Sequence, residues 1–170
     1  MAEAGRTFPA TYSKAPIIYH GPKKKTLSTG KVILGSVAAF TVLGGFIADL
    51  NKTHMKNPDW PPHAKFHDAI SITLGAFLGT ASLYFLSRKT FDSHQDIQLS
   101  ALLPSMYWAA QGVSFFYPQT SGMEAEFPQY VPKFQGLWIN EKFASIAMLA
   151  LTGIGYTMEN LPSGQSLSNH

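Results

Sequence analysis

The densest run of titratable side chains is Ala48-Asp49-Leu50-Asn51-Lys52-Thr53-His54-Met55-Lys56-Asn57-Pro58-Asp59-Trp60-Pro61-Pro62-His63-Ala64-Lys65-Phe66-His67-Asp68. Half of the six histidines fall inside it, flanked by Asp49 and Asp68. Imidazoles beside carboxyls suit proton transfer near neutral pH, and each positioned transfer is worth roughly 10²- to 10⁴-fold in rate. Pro58, Pro61 and Pro62 stiffen the run. A helix starting at Pro62, a favourable first-turn residue, puts His63 and His67 four residues apart on one face, where they can approach one target together. The candidate catalytic set is Asp49, His54, His63, His67 and Asp68, completed by Glu141, which enters at the same level from a later helix. No metal or other cofactor is expected. The alternative is a mixed nitrogen and oxygen site for zinc or iron, built from His54, His63 and His67 with Asp49 or Asp68, although no established ligand spacing supports it.

Aromatic faces could stabilise a cationic intermediate, and the chain offers Trp60, Trp108 and Trp138. For Trp60 and Trp138 the preferred reading is anchoring at a membrane interface. Trp108 lies deeper and shares a helical face with Pro104 and Gln111. The candidate substrate cavity is assigned to Trp60, Trp108 and Gln111. Glu124 and Glu126, in a loop with Pro128, Tyr130 and Pro132, could fold over it, a plain solvated loop being the preferred reading. His20, His94 and His170 are read as solvated bystanders.

The elements that must position these groups are apolar blocks. The chain of 170 residues is 45% hydrophobic and only 14% charged, against the roughly 25% charged residues of ordinary soluble domains. Val32 to Leu50 carries Asp49 as its single charge, and its length is close to the ~20 residues that cross ~30 Å of hydrocarbon. Asp68 to Leu86, Ile97 to Tyr117 and about Leu137 to Tyr156 are three further blocks of that kind. In the third, Pro104 predicts a kink; in the last, Asn140, Glu141 and Lys142 precede the clean apolar stretch from Phe143. The fold expected is all-α: an integral membrane four-helix bundle over residues 31–160, with a disordered, polar, basic N-terminal tail over 1–30 and a polar C-terminal tail over 161–170. A soluble helical bundle fits less well, because the blocks have almost no polar face. Gly75 with Gly79, and Thr41 with Gly45, are spaced to let helix backbones approach.

Orientation follows the basic residues. Arg6, Lys14, Lys23, Lys24, Lys25, Lys31, Arg88 and Lys89 lie on one side and Lys52, Lys56, Lys65, Lys133 and Lys142 on the other, which predicts cytosolic termini in an endomembrane such as the endoplasmic reticulum. Asn51-Lys52-Thr53 is a glycosylation sequon best read as chance. The net charge of +3 sits mainly ahead of the first block rather than among aromatics, which argues against nucleic acid as a partner. No signal peptide pattern opens the chain. There is no cysteine, so disulfides, thiolate metal sites and cysteine nucleophiles are excluded. No phosphate-binding glycine loop, serine elbow or HExxH motif occurs, and soluble hydrolase or nucleotide-dependent chemistry has no support.

The run Asn57-Pro58-Asp59-Trp60-Pro61-Pro62-His63-Ala64-Lys65-Phe66-His67, preceded by Asp49 and by Thr53-His54, resembles the NPxWPPHAxFH signature of a small, largely uncharacterised family of four-helix membrane proteins in fungi and bacteria. The resemblance is specific over residues 49–68; beyond them only apolar character and length agree. It implies the membrane fold and, through fungal members that accompany secondary-metabolite genes, a hydrophobic small-molecule substrate. An acetyltransferase label attached to some members finds no residues here. In size and helix count alone the chain is also similar to membrane sterol isomerases and meroterpenoid cyclases. The expected function is acid-base isomerisation or cyclisation of a lipophilic small molecule, a terpenoid or polyketide. The alternatives are a non-catalytic accessory protein that docks membrane protein partners or lipid headgroups, and a metal-dependent membrane enzyme.

Overall fold

The computed structural model describes residues 27–88 and 93–161. The basic cluster from Arg6 to Lys25, Lys89, His20, His170 and the C-terminal tail beyond Leu161 lie outside the described residues.

Four helices account for most of the described chain: α1 (Thr29–Ala48), α2 (Pro62–Ser87), α3 (Ser93–Ser114) and α4 (Glu141–Asn160). Each packs on its neighbour in sequence, and α4 returns to α1, which closes a four-helix bundle. The described chain is all-α apart from two short 3-10 turns, Met123–Ala125 and Pro128–Tyr130, and a two-stranded hairpin between β1 (Lys133–Phe134) and β2 (Leu137–Trp138). The helix expected from about Leu137 therefore begins only at Glu141. Gln135 and Gly136 form the intervening turn, both with positive φ (47° and 86°), as a two-residue hairpin turn requires. Lys133 and Trp138 are paired across the strands, and the Lys133 ammonium lies 4.5 Å from the centre of the Trp138 ring. The third apolar block likewise stops being helical at Ser114, and α1 reaches back to Thr29, inside the expected tail.

The bundle interior combines hydroxylic residues with Leu34, Val37, Ile72, Ile97 and Trp108, while many other large apolar side chains point outwards. Thr41, Ser82, Ser100, Ser145 and Thr152 are buried, while Ile47 is 73% and Phe77 70% exposed. α1 and α2 are long and apolar enough to cross a membrane, yet only 28% and 22% of their most apolar stretches are buried inside the protein. Among the described residues these two helices alone reach that length and hydropathy. α3 opens on Ser93-His94-Gln95-Asp96, and α4 carries Glu141, Lys142 and Glu159.

Helix contacts rely on close backbone approach. A Cβ at Gly79 would lie 2.6 Å from the Ala38 carbonyl oxygen, and one at Gly75 would lie 3.1 Å from that of Thr41. Across the same seam, Gly45 meets the Ile72 backbone. The small-residue spacing on α1 and α2 thus serves as a packing seam. Pro104 stands inside α3, which continues through it. Proline has no N–H to offer the Ser100 carbonyl one turn earlier, and the Ser82 hydroxyl from α2 donates to that carbonyl at 2.6 Å. A neighbouring helix thus supplies the donor that Pro104 lacks. At the same end of the bundle Arg88 pairs with Asp96 at 3.6 Å, and the Glu159 carboxylate accepts from the Ser28 hydroxyl at 2.5 Å and the Lys31 N–H at 3.0 Å.

Two glycines give opposite expectations. Gly79→Ala should destabilise the purified protein by about 1–3 kcal/mol, because the methyl group meets backbone atoms. Gly153→Ala, where nothing lies within 4 Å, should stabilise it by up to ~1 kcal/mol through helix propensity. Thermal unfolding of both variants in detergent checks the pair; equal shifts would contradict the seam.

Candidate active site at the loop-closed end of the bundle

The loop between α1 and α2 folds on itself before it can present a site. α1 ends at Ala48, and Asp49 caps it through a backbone bond from its N–H to the Gly45 carbonyl. The Asp49 carbonyl then accepts from the N–H groups of Asn51 at 2.8 Å and Met55 at 3.0 Å. The Asn51 side chain accepts from the Thr53 N–H (2.8 Å) and hydroxyl (2.5 Å), and its amide nitrogen donates to the Ala48 carbonyl. That nitrogen is the atom a glycan would occupy, so the sequon amide serves the turn. Such Asx bonding explains why Asn and Thr stand here. Thr53 and Asn57 are buried by it, and the Asn57 side chain accepts from the Asp59 N–H at 2.9 Å.

This turn aims His54 inwards. The His54 Nδ1 lies 2.8 Å from the Thr53 hydroxyl and its Nε2 lies 4.0 Å from Asp49 Oδ1. Its ring meets Trp60 edge-on, with centroids 5.1 Å apart. Opposite stands Glu141 in the first turn of α4, a position its negative charge favours. Asn140 caps that helix by accepting from the Lys142 N–H at 3.1 Å. Both oxygens of Glu141 face the Met123 N–H, at 3.2 and 3.3 Å. Gln111 on α3 ties the first turn of α4 in place, donating to the Glu141 carbonyl at 3.0 Å and the Ser145 hydroxyl at 3.2 Å.

Asp49, His54, Gln111 and Glu141 border a cavity of about 280 Å³. Its apolar walls include Phe40, Gly44 and Ala48 of α1, Tyr107 and Trp108 of α3, Ala144 of α4 and Ile139. Trp108 is buried, its indole N–H donating at 2.9 Å to the Thr41 hydroxyl, which itself donates to the Val37 carbonyl at 2.8 Å. Phe40 stacks against Trp108 at 5.8 Å. A second, more polar recess of about 430 Å³ adjoins from the other side, bordered by His54, Trp60, Gln111, Phe127 and Glu141.

The named candidates divide accordingly. Asp49, His54, Glu141, Trp108 and Gln111 meet at the first cavity, and Trp60 lies on the second. Asp68 does not line either cavity, though its charge acts on Asp49, and its Oδ2 is buried without a hydrogen-bond partner. His63 and His67 are exposed on the outer face of α2 and touch each other, Nε2 to Nε2 at 3.1 Å. Four-residue spacing puts them on one face, as the sequence required, but that face turns away from Asp49. The set His54, His63 and His67 is therefore not assembled, and no group of three possible metal ligands converges among the described residues. Tyr107 and Met123 were not singled out from the sequence. Tyr107 offered a signal, one residue before Trp108 on the same helix; Met123 sits in a loop whose path had none. Glu124 bonds to Asn140 at 2.8 Å, beside Gly122, where a Cβ would come within 2.8 Å of Glu141 Oε2.

Asp49, just beyond the end of α1, has its pKa raised from 3.8 to about 6. Burial is the main cause; the charges of Asp68 and Glu141 add to it and His54 opposes it. An apolar cavity with a near-neutral carboxyl and an imidazole 4.0 Å away can hold an acid and a base on one bound molecule.

These features define an all-α, four-helix protein with two helices able to cross a membrane and a carboxyl- and imidazole-edged cavity at its loop-closed end. The chain belongs to a family of unknown function, DUF6640, whose sequence profile matches residues 33–165. The match takes in nearly all of the bundle and the whole α1–α2 loop, in keeping with the expectation of a small, uncharacterised family. No curated protein and no solved structure matches the chain.

The Asp49 shift has a definite sign. A carboxyl whose folded pKa exceeds its unfolded value contributes stability at low pH that is lost as pH rises from about 3.8 through about 6. Asp49→Asn should therefore gain stability relative to the native chain above pH 6 and lose that advantage below pH 4. Unfolding midpoints across that range test it; a pH-independent difference would contradict the assignment.

Proposed function

We propose that this protein is a multi-pass membrane enzyme whose four helices all cross an endomembrane, and that it performs acid-base isomerisation or cyclisation on a lipophilic small molecule. The single observation that carries the reading is the cavity of about 280 Å³ at which Asp49, His54 and Glu141 face Phe40 and Trp108. Apolar walls select a hydrophobic guest, and the polar edge offers one proton donor and one acceptor without any further reagent. Isomerisation and cyclisation need no more than that, and a terpenoid or polyketide has the size and chemistry to fit.

The outward display of large side chains supports the bilayer setting. Ile47, Phe77, Leu102, Met106, Ile146 and Ile154, spread over all four helices, are each about half exposed or more. Contiguous apolar surface on that scale is rare in water-soluble monomers. Lipid on the outside also explains the hydroxyl-rich interior, since such side chains can satisfy each other between helices. The excess of basic residues ahead of α1 supports cytosolic termini, and the loop-closed end then faces the lumen of the endoplasmic reticulum.

In this role His54 exchanges a proton with the substrate, Asp49 in its protonated form acts as acid, and Glu141 completes the polar edge. Asp49→Asn, His54→Ala and Glu141→Gln should each lower product formation at least 100-fold, the scale of a lost acid-base group, with abundance in the membrane unchanged. Comparing metabolite extracts of cells carrying the native gene, each variant or a deletion reads this out. Product formation that survives all three substitutions would refute the catalytic role. Loss of abundance in step with product would favour the accessory alternative.

A further inference from the structure

We propose that His63 and His67 form a two-point chelate for a zinc-class divalent ion on the outer face of α2, separate from the cavity and independent of the catalytic reading. Their Nε2 atoms face each other at 3.1 Å, while the ring centroids stand 4.5 Å apart. The rings thus open away from two converging nitrogens. Two zinc–imidazole bonds of about 2.0–2.1 Å, meeting at about 90–110°, place their nitrogens roughly 2.9–3.4 Å apart. The observed gap falls inside that bite.

Local structure holds the pair ready. Pro61 and Pro62 fix the start of α2, with Pro62 at its first position, so the turn carrying His63 and His67 is stiff. Phe66 lies between them in sequence and touches both rings, stacked on His63 at 6.1 Å and edge-on to His67 at 5.7 Å. Rings oriented beforehand lose less freedom when they close on a metal. Both histidines are exposed, so an ion can arrive from water and keep its other positions for water or an added ligand. Coordination requires both Nε2 lone pairs, which places the ring protons on Nδ1. Imidazole pairs four residues apart on a helix are an established chelating geometry. His54 has no part in this site: it points into the bundle beside Asp49.

Zn(II) titrated calorimetrically into the full, tag-free chain in detergent should show one saturable site. His63→Gln and His67→Gln should each weaken it at least tenfold, and His54→Ala should leave it unchanged. With Cu(II) as a spectroscopic probe, electron paramagnetic resonance of the native chain should show two equivalent imidazole nitrogens, a readout that needs no variant. Absence of saturable binding, or binding that survives both His63→Gln and His67→Gln, would overturn the proposal. Loss of binding in His54→Ala would also overturn it, in favour of a three-histidine site.

Discussion

Close backbone contact between α1 and α2 is the constraint on which the rest of this structure depends. Side chains such as Ile47 and Phe77 turn outwards, and the seam sets Ile72 of α2 directly against the backbone of α1 at Gly45. It relies on glycine: at Gly79 there is no room for a single methyl beside Ala38 and Val42. Such proximity brings polar side chains within reach of each other, and the interior hydrogen bonds follow. Thr41 on α1 can then receive the indole N–H of Trp108 from α3, and Ser82 on α2 can serve the carbonyl that Pro104 leaves unpaired. A leucine-filled bundle would hold its helices too far apart for either bond.

The same closeness positions the cavity. Gly44 and Gly45 thin the wall of α1 beside Trp108, and the space is capped by the loop segment between α3 and α4. That segment stays in place because Gln111 bonds to the first turn of α4 and Glu141 holds the Met123 N–H. The loop between α1 and α2 is equally self-supporting: Asn51, Thr53 and Asn57 spend their polar atoms on turns. Consequently His54 and Asp49 are presented by a compact knot, and their separation does not depend on a long flexible tether.

Much of the architecture was legible because helix-forming apolar blocks announce themselves by length and by the residues that end them. Pro62 begins α2 at the position its chemistry suggests, and Asp49 stands at the end of α1. The start of α4 was not legible from apolar character alone, since Leu137 and Trp138 are as apolar as a helix but belong to a hairpin. The turn residues Gln135-Gly136 carried that information. The site was half legible. Spacing told that His63 and His67 share a face, but periodicity on a helix with little amphipathic contrast cannot tell which face turns inwards. Tertiary packing decides that, here through the Gly75 and Gly79 seam, which leaves the two histidines outside. His54 turns inwards for a reason no periodic pattern encodes, an Asx turn that rotates it towards Asp49.

His54, Gln111, Met123 and Glu141 border both the apolar cavity and the more polar recess beside it. They form one wall with two environments. A titratable group buried on all sides keeps its proton out of reach of solvent. A side chain that borders both spaces avoids that isolation. His54 borders both the space among Phe40 and Trp108 and the side lined by Trp60, Gln119 and Glu126. Asp49 lines only the apolar side, consistent with burial as the leading cause of its raised pKa. The two groups differ by placement alone: the Asp49 carboxyl faces the apolar cavity, and the His54 imidazole faces both spaces.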